Sequence, residues 1–316
     1  MIAAVQPSHL YFYAMEKKSP IRISSISELH ALLQLPKPVH PLISLTDNSQ
    51  IAPAPELTDR PFIFNFYKVS YKSSATGRMG YGQGYYDFNE GGMMFTAPNQ
   101  LLFADTKEEY HGRTVLFHPD FIAHYPLGRT IKKYGFFSYD TNEALHLSEK
   151  EKKIMFGLFE NIQDELNTSI DEVSQDVLVS YIEVLLNYSN RFYKRQFITR
   201  KTINNDVLAR IEHSLETFFT DGKSLTDGLP TVEYLAATVN LSPRYLSDML
   251  RTLTGQNTQQ LIHEKLIEKA KEKLSATDLS VSEIAYELGF EHPQSFSKLF
   301  KTKTNLSPLQ FRQSFN

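Results

Sequence analysis

The C-terminal end of the chain carries basic side chains and no acid. From His292 to the last residue there is no Asp or Glu, whereas Lys298, Lys301, Lys303 and Arg312 are all basic. Lysine and arginine neutralise phosphate oxygens, and a basic segment in an otherwise acidic chain is the charge pattern that a phosphate backbone requires. The formal net charge of −3 gives no such indication, so the inference depends on where the charges lie.

A second charged group precedes this segment and has mixed sign. Arg244 and Arg251 lie on either side of Asp248 in one expected helix. A carboxylate there either accepts a hydrogen bond from a cytosine amino group or repels phosphate. We therefore expect this group to bind DNA weakly or selectively.

Both groups lie in an internal repeat. Residues 232–241 align with residues 281–290, and residues 246–255 align with residues 296–305, after a shift of one residue in the turn between the halves. Each copy predicts a short helix, a tight turn and a second helix, which is the helix-turn-helix plan. In this alignment Asp248 of the first copy takes the place of a lysine in the second copy.

Capping residues mark the ends of the predicted helices. Serine before proline and a Ser-x-x-Glu box begin helices, and glycine or asparagine ends them in a left-handed conformation. The residues in these roles are Ser242, Pro243 and Gly255 in the first copy, Ser280, Glu283, Gly289, Pro293 and Asn305 in the second, and Ser307 and Pro308 in a last short helix.

Residues 258–274 predict one long helix between the copies, with Leu261, Ile262, Leu266 and Ala270 on one face. A continuous helix is a semi-rigid spacer. We expect it to hold the two units so that both second helices enter successive major-groove segments about 34 Å apart. The alternative is that the paired helices are structural packing and that the lysines lie on a solvated surface.

The two copies resemble the AraC/XylS regulators. In the second copy the resemblance lies in Ala-Tyr-Glu-Leu-Gly-Phe at 285–290, in residues 296–301 and in residues 307–312, and in the first copy it lies in residues 241–251. It covers roughly residues 206–312. The resemblance implies a bacterial, sequence-specific DNA-binding transcription regulator with a homeodomain-like, all-α C-terminal domain.

The same resemblance implies which side chains contact DNA. The base-reading positions fall on Arg244, Ser247 and Asp248 in the first copy and on Pro293, Gln294, Ser295 and Lys298 in the second. Pro293 and Asp248 depart from the family pattern, so Gln294 becomes the candidate for an adenine contact. The candidate phosphate contacts are Arg251, Lys301 and the N-terminus of the helix after Ser280.

The part before the repeat predicts strands. Short runs rich in Phe, Tyr and Gly extend from about Val39 to Tyr139 and suggest a small barrel or sandwich. This part is loosely similar to the cupin-like sensing domains of such regulators, in which a small molecule alters dimer geometry and hence DNA binding. The alternating aromatic residues describe either a ligand pocket or an ordinary packed core: Phe64, Phe66, Tyr86, Phe88 and Phe103.

Two amphipathic helices follow. Ser148 and Glu151 form a capping box for the first, and the second extends from Glu172 to about Tyr193. Their apolar faces either pack on the barrel or form a dimer surface. Residues 191–201 are basic without an acid and predict a linker.

The 316 residues therefore predict an α+β chain of two domains. The boundaries are 1–146 for a cupin-like β-barrel that senses a ligand, 147–198 for a helical pair with dimerisation and linker roles, and 199–316 for the DNA-binding domain. We expect double-stranded DNA, a small-molecule effector and a second copy as partners, with RNA polymerase as a further candidate. Residues 1–18 lack an export signal and no apolar run is long enough to cross a bilayer, so we expect a cytoplasmic protein without a membrane partner.

We expect no enzyme activity and no cofactor or metal. The absence of cysteine excludes disulfides, thiolate zinc sites and the alkyl-accepting DNA-repair proteins that share this regulator fold. The alternative is a cupin-type metalloenzyme fused to a DNA-binding tail, but no His-x-His occurs and His40, His111, His118 and His124 are dispersed. A protein-binding adaptor is a further alternative, which a DNA footprint would distinguish.

Overall fold

The computed structural model describes residues 19–51, 60–74, 78–81, 84–87, 92–102, 111–140, 143–168, 171 and 173–314. The chain divides into two compact units, unit one (Met1–Gln196) and unit two (Phe197–Asn316). Residues 1–18, on which the expectation about export rests, lie outside the described residues. The same is true of Phe88, Phe103 and the side chain of Tyr86.

Unit one begins with short strands around one small helix. In chain order the elements are β1 (Ile21–Ile23), α1 (Ile26–Leu32), β2 (Ile43–Asp47), β3 (Phe62–Phe64), β4 (Tyr67–Ser74), β5 (Arg78–Tyr81), β6 (Gly84–Asp87), β7 (Gly92–Thr96), β8 (Leu101–Leu102) and β9 (His111–Phe117). The helices that follow are α2 (Pro119–Ile122), α3 (Pro126–Thr130), α4 (Glu149–Asn167) and α5 (Ser174–Thr199).

The described strands form open sheets. An antiparallel sheet has the order β2-β9-β4-β7, a second sheet has the order β1-β3-β8, and β5 pairs with β6. The prediction of strands is confirmed, but these strands do not close into the barrel that we expected. The cupin-like barrel therefore stays a prediction.

The two faces of β4 have different surroundings. Tyr67 stacks on Phe117 with ring centroids 5.0 Å apart, and Tyr71 meets Phe156 of α4 edge to face at 4.7 Å. Because side chains alternate along a strand, Lys68 and the residues two and four positions further on lie on the opposite face. The first face is thus part of the aromatic core, and the second carries the polar side chains of Lys68, Ser70 and Lys72.

The stretch after β9 is helical, whereas the sequence predicted strands as far as Tyr139. The helices α2 and α3 begin with Pro119 and Pro126, and 3-10 turns follow at Ile131–Lys133 and Gly135–Ser138. Proline fits the first helical position, because its φ is already helical and the N–H that it lacks would be unpaired there. These prolines open helices rather than interrupting strands.

The prediction of two amphipathic helices is confirmed. The stretch at residues 191–201, predicted to be a linker, contains the boundary between unit one and unit two and is helical as far as Thr199. The capping box of Ser148 and Glu151 starts α4. The second helix, α5, continues to Thr199 because Phe192, Tyr193 and Phe197 extend its buried face while the basic residues between them remain at the surface. The apolar stripe of both helices is buried within the chain: Met155, Phe159, Ile162, Leu178, Ile182, Leu185 and Leu186.

All the regular secondary structure described in unit two is helical. It contains α6 (Lys201–Thr220), α7 (Lys223–Asp227), α8 (Val232–Val239), α9 (Pro243–Thr254), α10 (Thr258–Ala276), α11 (Val281–Glu287), α12 (Pro293–Thr304) and α13 (Pro308–Gln313). Across the part of the chain that the structure describes, no helix is both long enough and apolar enough to pass through a membrane.

Candidate nucleic-acid interface

The first helix-turn-helix unit consists of α8 and α9. The Thr231 and Ser242 hydroxyls cap the two helices, and Asn240 makes the turn in the left-handed region with φ of 57°. Leu235, Leu246 and Met249 are completely buried or nearly so. The packing of these residues fixes α9 against α8, so the polar side of α9 faces outward.

The second unit, α11 and α12, repeats this arrangement with one more residue between the N-cap of its first helix and the start of its second. Gly289 forms the turn at φ of 91°. A Cβ atom at this position would lie 2.5 Å from the backbone carbonyl group of Gly228, which also requires glycine. Phe296 and Phe300 of α12 are buried.

The predicted helix boundaries in both helix-turn-helix units are confirmed. The structure shows the capping box of Ser280 and Glu283, helix starts at Pro243 and Pro293, and left-handed ends at Gly255 and Asn305. The last short helix begins at Ser307 and Pro308 as predicted. Local capping chemistry was therefore sufficient to place these helices.

The spacer helix α10 packs between the two helix-turn-helix units of unit two. Ile262, Leu266 and Ala270 are buried, and its 19 residues span about 28 Å at 1.5 Å per residue. Lys269 and Lys265 lie 2.6 Å and 2.9 Å from the Glu216 carboxylate of α6, and these hydrogen bonds hold the pKa of Glu216 below its usual range. The predicted spacer between the two copies is confirmed as one continuous helix.

Ion pairs and backbone contacts join the far end of α10 to the second unit. Lys273 lies 2.6 Å from the Glu287 carboxylate of α11. Arg312 of α13 donates to the backbone oxygens of Leu274, at 3.2 Å, and Leu279, at 2.6 Å. We counted Arg312 in the basic surface from sequence, but the structure uses its guanidinium to hold the end of the spacer helix.

Three of the predicted site residues on α9 form one cluster. The Asp248 carboxylate lies 3.1 Å from Arg244 Nε and 3.1 Å from Arg251 Nη1. The Asp248 side chain is 17% exposed, against 45% and 53% for the two arginines. The carboxylate is thus screened by two cations, which it holds on the outer side of the helix, so the cluster presents one net positive charge.

The remaining predicted residue on α9, Ser247, points toward α10. Its hydroxyl lies 2.9 Å from the hydroxyl of Thr258, which is completely buried. Ser247 is itself half-buried. A contact between Ser247 and a base would therefore compete with this internal hydrogen bond.

The predicted residues on α12 have a different setting. Gln294, Ser295, Lys298 and Lys301 are all exposed. Within the described residues, none of their side chains has a hydrogen-bond or ion-pair partner. The whole donor capacity of this helix surface is available, and both ammonium groups are uncompensated.

The predicted phosphate contact at the start of α11 meets an obstacle. In the capping box the Ser280 hydroxyl accepts from the Glu283 N–H, and the Glu283 carboxylate accepts from the Ser280 N–H at 2.7 Å. These hydrogen bonds lower the pKa of Glu283, so its carboxylate is ionised at neutral pH. A phosphate would meet a like charge at this helix end.

Sequence reasoning missed the function of Asp248 as a bridge. The signal was present, because Arg244 and Asp248 are four residues apart and Asp248 and Arg251 are three apart, and such pairs are neighbours on a helix surface. Sequence reasoning also missed Thr258 as the partner of Ser247, because no local pattern joins residues on different helices.

Two of the dispersed histidines of unit one, His40 and His118, contact neighbouring side chains. The His40 ring packs edge to face on Phe121 with centroids 5.3 Å apart, and His118 caps α2 and lies 3.3 Å from Asp120. His124 is exposed. Among the described residues, His, Asp and Glu side chains form no group of three that could hold a metal ion.

Comparison with known proteins identifies unit two. The family profile described as a helix-turn-helix domain matches residues 235–314, which include most of both units. An uncharacterised HTH-type transcriptional regulator from Pseudoalteromonas carrageenovora is 35% identical over 85 residues, 27% of this chain and 50% of that protein. The HTH-type transcriptional activator RhaS of Salmonella schwarzengrund is 29% identical over 160 residues, 50% of this chain and 52% of that protein.

One solved structure with sequence similarity is the C-terminal domain of the response regulator yesN from Fusobacterium nucleatum. It is 33% identical, covers 32% of this chain and 93% of its own, and has a TM-score of 0.29. The chain spans about half the length of the two curated relatives named above. With the profile match, the relatives and the two repeated units, the C-terminal part of this chain is a helix-turn-helix domain of the AraC/XylS type.

Proposed function

We propose that the chain is a transcription regulator that binds double-stranded DNA in a sequence-specific manner through α9 and α12. The observation that carries this proposal is the exposed surface of α12, where Lys298 and Lys301 have no partner in the described part of the chain. Unpaired lysines on the second helix of a helix-turn-helix unit are placed to neutralise phosphates beside a major groove.

The side chains of α12 divide the work. Lys301 contacts phosphate and contributes affinity for any sequence, whereas Gln294 hydrogen-bonds the edge of an adenine and contributes preference. Ser295 and Lys298 belong to the same base-reading set. This division rests on the family resemblance and on the exposure of all four side chains.

The first unit contributes through its arginine pair. Arg244 and Arg251 approach base edges and phosphate, and Asp248 holds their guanidinium groups in position. Because one negative charge offsets one of the two positive charges, α9 attracts phosphate less than α12 does. The first unit is therefore the weaker and more selective of the two.

The spacer helix supports binding by both units together. Its length of about 28 Å is close to the rise of about 34 Å between successive major-groove segments on one side of B-DNA. Because α10 is buried against helices of both units, it limits their relative movement.

Selection of genomic binding sites with the purified chain, followed by footprinting, tests the proposal. A protected site of about two helical turns per protomer supports docking by both units, and one turn would mean that one unit reads DNA. If no double-stranded DNA is bound in a salt-sensitive way, the proposal fails and the protein-binding adaptor becomes the favoured alternative.

The proposal also covers ligand sensing by the part of the chain before the DNA-binding domain. The part at 1–146 senses a small molecule and the helical pair at 147–198 transmits its effect to the DNA-binding part at 199–316. A homodimer, a contact with RNA polymerase and a cytoplasmic location follow from the resemblance to regulators of this type. A cavity within unit one supports the sensing function.

A further inference from the structure

Unit one contains a cavity of about 110 Å³ bounded by α1, β3 and the four-stranded sheet. One wall is apolar and includes Leu29 of α1 and Phe64 of β3. The other wall is the face of β4 that points away from the aromatic core, continued by residues of β2 and β9. The cavity thus has one apolar wall and one polar wall.

A chain of hydrogen bonds crosses the polar wall. Ser70 and Thr114 face each other on β4 and β9 with hydroxyl oxygens 2.9 Å apart, and Thr114 donates to Asn48 Oδ1 at 2.8 Å. Because Thr114 gives its proton to Asn48, Ser70 must donate to Thr114. All three residues are buried, and the hydroxyl protons of Ser70 and Thr114 are both used within the protein.

Lys68 adds an ammonium group to this wall. It lies on the same face of β4 as Ser70, it lines the cavity, and no described residue pairs with its ammonium group. Burial lowers the pKa of Lys68 to about 8, because a charged ammonium loses water without gaining a counter-ion. Lys68 is half-buried, and a cation that has lost part of its water disfavours folding unless something pairs with it.

A second lysine, Lys72, lies two residues further along the same face and is 3% exposed. It lines the cavity as well. Lys68 and Lys72 are the titratable side chains among the described lining residues, and no carboxylate is among those residues. Both charged side chains among the described lining residues are therefore cations.

We propose that this cavity binds a small monocarboxylate, with the carboxylate against the Lys68 ammonium and a short apolar chain against Leu29 and Phe64. The inference deepens the sensing function proposed for unit one and rests on it for any effect on DNA binding. Charge-assisted hydrogen bonds to a lysine suit a carboxylate, and the three donors of an ammonium group can satisfy both of its oxygens.

The size of the cavity limits the apolar part. A protein cavity of about 150 Å³ accommodates benzene. The smaller volume here suits an acid with a chain of roughly three to five carbon atoms by the same comparison. We therefore use butyrate as the probe, butyramide as its neutral counterpart of the same shape, and octanoate as the acid that is too long.

The test is calorimetric titration of the full chain with each of the three compounds at neutral pH. We expect butyrate to bind at one site per chain. Butyramide and octanoate should bind with an affinity at least roughly tenfold lower. Lys68→Met should weaken butyrate binding roughly ten- to hundredfold, whereas Lys132→Met, at an exposed lysine of the same unit, should leave it unchanged.

The outcomes separate this inference from the proposed function. If butyramide binds as tightly as butyrate, or if Lys68→Met keeps full butyrate affinity, the inference is overturned. Should Lys68→Met not fold, Lys68→Arg keeps the charge and must retain butyrate binding. DNA binding by the full chain without butyrate tests the proposed function separately, so either can fail while the other survives.

Discussion

Arg244 lies 3.1 Å from Asp248 across one turn of α9 and screens the Asp248 carboxylate, which the sequence places on the candidate DNA-facing helix. The same carboxylate reaches Arg251 on its other side. On a helix that we propose to bind phosphate, this negative charge is therefore not simply repulsive, because it positions two guanidinium groups. It lowers the total attraction and fixes the geometry at the same time.

Asp248→Asn should make the first unit bind DNA more tightly and less selectively. Removing the charge releases two arginines, so affinity for random DNA should rise several-fold and the ratio of specific to random affinity should fall. Fluorescence anisotropy with both kinds of duplex at several salt concentrations measures this. Asp278→Asn, at an exposed acid outside the helices, is the control. A lower affinity for random DNA would contradict the function assigned to Asp248.

Lys301→Ala and Gln294→Ala should have different effects on DNA binding. Loss of a phosphate contact weakens binding to all sequences and reduces the slope of log K against log salt by about 0.9. Loss of a base contact costs about 1–3 kcal/mol on the preferred sequence and relaxes preference at one base pair. Lys150→Ala, at an exposed lysine of α4, should change neither quantity. Equal losses on specific and random DNA for both variants would refute the division of work on α12.

Gly289→Ala should destabilise unit two. The backbone is left-handed at this position, and the added Cβ would lie 2.5 Å from the backbone of Gly228. We expect a loss of about 2–4 kcal/mol in the free energy of unfolding, measured by urea denaturation of the full chain. Gly157→Ala is the matched control, since it lies within α4 with nothing within 4 Å of its Cβ, and it should stabilise by about 0.5–1 kcal/mol. A loss at Gly289 no larger than 0.5 kcal/mol, about the size of an ordinary surface substitution, would mean that the turn tolerates a side chain.

Lys68 should give unit one an alkaline pH dependence of stability. The pKa of this ammonium falls from 10.5 to about 8 on folding, so between these values the unfolded chain binds more protons than the folded chain. The free energy of unfolding should therefore rise from about pH 8 to pH 10.5 through this group. Lys68→Met should remove this contribution and stabilise the protein at pH 7. Identical pH profiles for the two proteins would show that Lys68 is solvated.

Unit two was predictable from sequence because its helix ends are determined locally. Serine caps, prolines at first positions and left-handed Gly255 and Asn305 each act within one turn of chain, so a single sequence contains the whole signal. The spacing of the two copies then gave the order of the helices. The candidate DNA-facing helices were correctly bounded for the same reason.

The errors arose where distant residues decide. The basic residues at 191–201 indicated a linker, and the boundary between the two units does fall there. The sequence did not show that this stretch is helical as far as Thr199, where the ring of Phe197 meets Tyr245, a residue far along the chain. Arg312 looked like a surface cation, but its partners are the carbonyls of Leu274 and Leu279, more than thirty residues earlier. Sheet closure likewise depends on strand pairing, which alternation along one strand does not encode.

The contact of Arg312 with the end of α10 gives helix α13 a structural role. Although α13 is only six residues long and follows both α9 and α12 in the chain, it stabilises the end of the spacer helix that lies between them. Deletion of residues 308–313 would remove this contact. The spacer helix should then hold the two helix-turn-helix units less rigidly, and the preference for one DNA sequence should fall even though the side chains of α9 and α12 are unchanged.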